Sequence, residues 1–563
     1  MRWIQWERFA PLMLSAVVAL GLVASAEGSD RADKLQKINH FVVIYQENHS
    51  FDNLYGAWEG VHGLSAADPE HTVQMTQGGL PYECLLQDDV NLTSPPLGTS
   101  CTETTGKIFQ SAFVNKPFLI DAVIGPADTT CPPPGSPFMP NGLPKGTGLP
   151  GGCTRDIVHR FYQEQYQIDG GKMDRYVTGS DAVGLAMGYY DTTKLPIYQY
   201  LHAPSHPRYA IADNFFQGAF GGSFLNHQWL IAAATPVFAG AAQSGPNDLH
   251  SIIDANGFPN SSYSLYTPTG PVNDSQLTIK CSAQGQQGCG DYAVNTTQPW
   301  FQPFQPGTAA SKRLMPVGTP TIGDRLNAAG VDWAWYAGGW SNANGDVNGP
   351  GWTNGLGPAC ADPQTFAGAT YPNCPNALFQ FHHQPFNYYA VFDPGTAAGR
   401  AQRQGHLRDE EEFLKLARSS TRSTCNLKPV SFVKPIGEEN EHPGYTSESL
   451  GSDHLVQLID AITRSACAKD TMIIVTYDEF GGQWDHVPPP GQGNENGPHD
   501  VWGPGTRVPA LIVTPFLRGN FVVDGTSYDT TAILATLERR FGLAPLAIRD
   551  AAVADLSNVF DAK

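Results

Sequence analysis

The chain has 563 residues, 53 Asp and Glu against 34 Lys and Arg, a formal net charge of -19 and only 15% charged residues. Aromatics at 11% exclude a disordered chain. The acidic balance excludes a non-specific nucleic-acid binder, and the length excludes a fold that depends on disulfides alone. At about 150 residues per domain three or four domains would fit, although α/β folds with long insertions also run as one.

Arg2 and Arg8 precede an apolar stretch, Phe9 to Val23, that ends in Ala24-Ser25-Ala26. This is a secretory signal pattern, and residues 1–26 are expected to be removed; the alternative is an uncleaved anchor. The protein is therefore expected to be secreted or periplasmic, soluble or associated with a surface, with peripheral membrane contact left open. The first strand is predicted at His40–Tyr45 and runs into Glu47 and Asn48. A carboxylate beside a carboxamide at the carboxyl end of a strand suits a hard cation, while Asn48 or Ser50 could equally cap a helix.

Residues 62–153 are rich in Gly, Pro, Asn and Ser, and read as an insertion. A helix is predicted over Asp156–Ile168, carrying His159, before Gly170-Gly171-Lys172-Met173-Asp174. The strand Arg208–Phe216 leads to Gly221-Gly222-Ser223 and an apolar helical stretch reaching Ala234. Read locally, Ser223 is the N-cap of that helix; the same placement suits attack on an anionic ester. It is not a G-x-S-x-G elbow, which disfavours a lipase-type serine hydrolase.

A second insertion, 237–310, is followed by a strand at Val331–Tyr336 and a third insertion, 338–376. His382 and His383 are adjacent, so a joint role requires irregular backbone. The strand Pro429–Val433 precedes His442, and a helix is predicted at Thr446–Ala466. The continuous apolar run Thr471–Tyr477 suits a strand buried on both faces of a parallel sheet, and it ends in Asp478 and Glu479. Unpaired carboxylates after a buried strand are costly, which favours a cation there over a solvated turn. A last strand at Arg507–Thr514 and helix at Thr530–Phe541 complete an α/β pattern.

Ten cysteines behind a signal peptide read as disulfides. Neighbour pairing joins 84 with 101, 131 with 153, 281 with 289, 360 with 374 and 425 with 467. The whole is predicted as a single domain, 27–563, with disulfide-stapled insertions.

The segments Asn48-His-Ser-Phe-Asp52, Gly170-Gly-Lys-Met-Asp174, Asp213-Asn-Phe-Phe216, Gly221-Gly-Ser-Phe-Leu-Asn-His227 and Tyr477-Asp-Glu-Phe-Gly-Gly482 with Asp485-His-Val-Pro-Pro489 occur in order. They resemble the bacterial phosphoesterase family, which joins secreted phospholipases C to respiratory-burst-inhibiting acid phosphatases. The resemblance spans about residues 38 to 545. It implies an alkaline-phosphatase-like core, a parallel sheet with helices on both faces. It also makes Ser223 the nucleophile, Glu47, Asn48, Asp478 and Glu479 ligands of one divalent metal (Mg, Ca, Mn or Fe), and His159, His382, His383 and His442 phosphate-binding and acid-base groups.

A serine nucleophile, and a chain ending soon after Leu543, are similar to the acid phosphatase branch, so phosphomonoesters are the expected substrates. Phospholipase C activity is the alternative within enzymes, and a non-catalytic secreted surface-binding protein the alternative outside them. Protonating all sixteen histidines would bring the formal charge from -19 to -3, so an acidic pH optimum is expected, below the usual histidine pKa of about 6.5. Metal identity, physiological substrate and oligomeric state are not legible.

Overall fold

The computed structural model describes residues 30–76, 79–85, 99–102, 108–111, 113–122, 156–180, 184–238 and 292–562. The signal segment lies outside these residues, as do most of the insertion at 62–153 and residues 239–291 of the second insertion.

Eight strands form one sheet: β1 (His40–Gln46), β2 (Tyr209–Ala212), β3 (Trp333–Ala337), β4 (Leu407–Asp409), β5 (Val430–Lys434), β6 (Thr471–Tyr477), β7 (Ala510–Val513) and β8 (Phe521–Asp524). Their order is β4-β3-β5-β1-β6-β7-β2-β8. Seven strands share one direction; β7 alone runs against its neighbours β6 and β2. The sheet is thus α/β and dominantly parallel, with one reversed strand that apolar patterning does not reveal. The short strands β4 and β8 lacked a sequence signal, because three or four residues with a charge among them do not stand out from loops.

β1 and β6 pair in register from His40 opposite Thr471 to Gln46 opposite Tyr477. β6 is buried along its whole length, as expected of a strand covered on both faces. The principal helices are α1 (Phe51–Leu54), α2 (Phe161–Ile168), α3 (Ser223–Ala232), α4 (Glu410–Ser419), α5 (Glu448–Thr463) and α6 (Thr531–Phe541). Tyr45 packs edge-on against His227 of α3, and Phe41 against Phe541 of α6. Trp335 also meets His227, so its neighbour Tyr336 points to the opposite face, where it packs on Phe413 of α4. Helices therefore cover both faces.

Residues 156–160, expected to be helical, form no regular element, and α2 begins only at Phe161 after the extended N-cap Arg160. Two neighbour-paired disulfides lie among the described residues, Cys360–Cys374 and Cys425–Cys467. The predicted pairs 131–153 and 281–289 lie outside the described residues, and for 84–101 the described residues do not extend to the Cys101 side chain. No helix of the described residues is long and apolar enough to cross a membrane.

Candidate active site

Parallel strands deliver their carboxyl ends to one edge of the sheet, where ligands gather in open α/β folds. Glu47 and Asn48 follow β1, Lys434 ends β5, and Asp478 and Glu479 follow β6. All five are 0–1% exposed.

The turn into α3 brings Ser223 to the same place. Gly222, not Ser223, is the N-cap, and the serine side chain makes no cap hydrogen bond. The expectation that Ser223 merely caps its helix is corrected: its hydroxyl is free to point at the carboxylates. Oγ lies 3.2 Å from Glu47 Oε2 and 3.4 Å from Glu479 Oε1.

Two glycines make this approach feasible. Gly221 has φ +89°, and a Cβ there would sit 2.7 Å from the Phe161 nitrogen; a Cβ on Gly222 would press on the His159 ring at 3.0 Å. The buried Glu164 holds the turn by accepting from the Gly221 amide and from Gln217 Nε2 at 2.9 Å. Its other oxygen accepts from the amide and hydroxyl of Thr506 at 2.7 and 2.8 Å. Burial pushes the Glu164 carboxyl up to about 7 despite these bonds.

Asn48 is not a cap either; Ser50 caps α1, accepting from the Asn53 amide. Asn48 adopts the left-handed conformation at φ +59°, one of the few non-glycine types that tolerate it. Its amide donates to Asp478 Oδ1 at 3.2 Å. Its Nδ2 donates to His442 Nε2 at 3.1 Å, while His442 Nδ1 donates to the Pro443 carbonyl at 2.8 Å. That chain of bonds fixes the histidine tautomer and turns Asn48 Oδ1 away from His442. Gly481 is required here, since a Cβ would lie 2.2 Å from the Asn48 carbonyl oxygen.

Around Glu47 Oε1 stand Lys434 Nζ at 2.5 Å, His383 Nδ1 at 3.2 Å and His227 Nε2 at 3.6 Å. The His227 and His383 rings stack 4.8 Å apart, and His227 Nδ1 donates to the Ser223 carbonyl at 2.8 Å. His159 Nε2 is 3.4 Å from Glu479 Oε1. A cavity of about 80 Å³ opens on Ser223 and is lined by His159, Arg160, His382, His442 and Tyr445.

Every candidate drawn from the sequence is therefore gathered at one place: Glu47, Asn48, Ser223, Asp478, Glu479, His159, His382, His383 and His442. His382 and His383 belong to a short 3-10 turn, Phe381–His383, which supplies the irregular backbone that a shared role requires. His159 sits on the irregular lead-in to α2 rather than on the helix, with Nε2 3.4 Å from Glu479 Oε1. Sequence reasoning missed Lys434, His227 and Arg160. His227 could have been found from its i+4 spacing to Ser223 on one helix face, and Lys434 as a lone lysine closing an apolar strand.

Burial raises the carboxyls of Glu47, Asp478 and Glu479, and for the last two the neighbouring carboxylates raise them further. Lys434 opposes this at Glu47 without overcoming it. Ionised together, the three carboxylates would outnumber the one ammonium among the described residues by two charges in a buried space. Asn48 Oδ1 and Asp478 Oδ2 are buried acceptors without hydrogen-bond partners. An oxygen-rich donor set, orphaned acceptors and a charge deficit of two together fit a divalent cation. Glu47, His227 and His383 also cluster closely enough to hold a metal.

The histidines do not form one titrating pool, which removes the basis for the expected acidic optimum. Burial holds His159 down at about 3 and presses His227, His383 and His442 well below the usual range. His454, away from the site, is instead raised to about 9.

A buried charge network braces the loop behind the site. Arg507 Nε bonds Asp485 at 3.1 and 3.2 Å, and its other nitrogens reach Asp52 Oδ1 at 3.1 Å and the His62 and Asp213 carbonyls at 2.7 Å. His486 Nδ1 pairs with Asp52 Oδ2 at 2.5 Å.

Residues 38–544 match the Phosphoesterase family. The chain belongs to that family. It is 24% identical over 557 residues to Phospholipase C A of Mycobacterium tuberculosis, covering 94% of this chain and 78% of that protein. Identity to Phospholipase C B of the same organism is 25% over 559 residues, with the same coverage. The non-hemolytic phospholipase C of Burkholderia pseudomallei is 22% identical over 540 residues, 91% of this chain and 56% of that one. A solved protein of the alkaline phosphatase superfamily from Vibrio parahaemolyticus overlaps 42% of this chain and 51% of its own at 14% identity, with a TM-score of 0.22; a likeness that low carries no argument. Family membership makes this phosphoesterase a hydrolase of phosphate esters.

Proposed function

We propose that this phosphoesterase cleaves its substrate by a metal-assisted attack of Ser223, and that the substrate is a phosphodiester of the phospholipid head-group class. The observation that carries the mechanism is the Ser223 hydroxyl lying within 3.4 Å of carboxylates from two strand ends, Glu47 and Glu479. Relatives named as phospholipases C along nearly the whole chain support the substrate class.

Glu47, Asn48, Asp478 and Glu479 would hold the cation. Bound there, a divalent ion such as Mg, Ca, Mn or Fe draws charge from the phosphoryl oxygens and lowers the pKa of the serine hydroxyl. The Ser223 oxygen bonds to phosphorus as the ester oxygen leaves, giving a phosphoserine that water then opens. Arg160, reaching the cavity from the residue after His159, offsets the charge of the phosphoryl group. His159, His382 and His442 line the same cavity. His442 Nε2 is occupied by Asn48, so His159 or His382, protonated when the anionic phosphoryl group binds, would donate to an equatorial oxygen and pass that proton to the departing oxygen. The Ser223 proton passes to the carboxylate its hydroxyl faces. His383 and Lys434 orient Glu47.

We further take residues 27–563 as one exported domain. A second reading, phosphomonoester hydrolysis, is favoured by the cavity at Ser223: at about 80 Å³ it admits a phosphoryl group and little beyond it. Turnover of p-nitrophenyl phosphorylcholine against p-nitrophenyl phosphate separates the two. A higher kcat/KM for the choline diester is the expected result; preference for the monoester overturns the head-group assignment. Loss of neither activity on chelation would count against the metal.

A further inference from the structure

The loop between β5 and α5 reaches the carboxylate cluster at two points. The Asn440 carbonyl accepts from the Glu47 amide at 3.0 Å, and the His442 ring meets the Asn48 side chain. The backbone of Asn48 is fixed by its amide on Asp478 and by the close approach of Gly481. Its side chain needs a further constraint, because a carboxamide can turn over and offer either its oxygen or its NH2 in one direction.

His442 supplies that constraint. The ring is 3% exposed and stacked on Tyr445, with centroids 3.7 Å apart and planes 17° from parallel. The amides of Tyr445 and Thr446 donate to the His442 carbonyl at 3.0 and 3.3 Å, and the His442 amide donates to Asn440 Oδ1 at 3.1 Å, so the ring stands on a tied loop. Nδ1 is 2.8 Å from the Pro443 carbonyl oxygen. A carbonyl only accepts, so Nδ1 carries the hydrogen, and Nε2 of the neutral ring is left with a lone pair. Only a donor can meet that lone pair, and at 3.1 Å it is Asn48 Nδ2. Asn48 Oδ1 is left over, buried and without a hydrogen-bond partner. An unmatched buried acceptor is costly, and a cation would match it.

The same bonds bear on the other role open to this histidine. His442 lines the cavity at Ser223 beside His159 and His382. With both nitrogens engaged, it offers a phosphoryl oxygen no N–H unless it gives up Pro443 or Asn48.

We propose that His442 is a positioning residue for the metal and not a phosphate-binding or acid-base group: by holding Asn48 Nδ2 it keeps Asn48 Oδ1 available to the cation. The proposal rests on the reading of Asn48 as a ligand. Partners that orient a ligand in this way are worth about 10–100-fold in metal affinity.

Calorimetric titration of the chelator-stripped full-length protein with Mn, beside turnover of p-nitrophenyl phosphate, tests this. His442→Phe keeps a ring against Tyr445 and removes the acceptor; it binds Mn about 10–100-fold more weakly than wild type, and its kcat returns close to wild type once Mn is saturating. His442→Gln, whose side-chain oxygen can still accept from Asn48, loses less affinity, and it carries the comparison should the phenylalanine variant fail to fold. Asn48→Ala also binds Mn more weakly. If Asn48→Ala weakens Mn binding and the His442 variants do not, the positioning role falls while the metal reading stands; if none of them weakens it, both fall. A His442→Phe kcat that stays at least about 100-fold down at saturating Mn also overturns the proposal and returns the ring to phosphate or proton chemistry.

Discussion

Lys434→Met removes the one ammonium that touches the carboxylate cluster. Lys434 is 1% exposed, its Nζ is 2.5 Å from Glu47 Oε1, and it also donates to the Tyr45 carbonyl at 3.0 Å. At that separation the attraction is about 7 kcal/mol with an effective dielectric constant of 20, and desolvation of both ions offsets much of it. Deleting one partner of a buried pair costs about 3–5 kcal/mol, the loss expected for the chelated protein at pH 8. The Glu47 carboxyl is already raised by burial, so as the pH falls it escapes by taking a proton and the loss shrinks. Excess Mn or Mg also shrinks it, because a cation held by Glu47 supplies the charge that Lys434 gave. Urea unfolding at pH 5 and pH 8, with chelator and with metal, reads all four values. An equal loss in all four refutes the charge account and leaves Lys434 a packing residue.

Ser223→Ala is expected to lower kcat by at least about 10³-fold with the fold retained by circular dichroism; substantial residual turnover removes Ser223 as nucleophile. Asp478→Ala should lose bound metal and turnover together, and metal analysis that still finds a stoichiometric ion argues against Asp478 as a ligand. Stability should also fall in alkali for a reason outside the site. Burial alone would lower the His454 pKa, but the Glu410 carboxylate at 2.8 Å outweighs it and raises the group to about 9. This stabilisation is complete below the unfolded value near 6.5 and is lost as pH rises through 9; a shift of this size corresponds to about 3 kcal/mol. Thermal unfolding between pH 6 and 10 should show that decline in wild type and a shallower one in His454→Gln, and parallel profiles would refute it.

The strands that carry the chemistry were legible because they are buried on both faces: Thr471–Tyr477 reads as an unbroken apolar run, and the carboxylates after it stand out against that background. Edge and short strands, Leu407–Asp409 and Phe521–Asp524, gave no such contrast. The helix starts were misread where an irregular segment shares residue types with the helix it precedes, as at Asp156–Arg160. Ser223 shows the limit most plainly. A serine after two glycines is a cap by local rules, and only the tertiary placement of Glu47 and Glu479 shows where its hydroxyl goes. Lys434 and the reversed strand β7 follow from pairings between segments far apart in sequence, which no local pattern encodes.

The wide separation of the site's parts along the chain has a consequence for biogenesis. Asn48 waits for Asp478, 430 residues later. At about 5–20 residues per second of synthesis that gap lasts roughly 20–90 seconds. Throughout it Asn48 lacks the carboxylate that holds its amide, and Ser223, once made, still lacks Glu479 beside it. The Arg507 brace is made later still. A chain in mid-synthesis therefore carries the reactive groups in an incomplete arrangement, and the site is assembled only with completion of the fold.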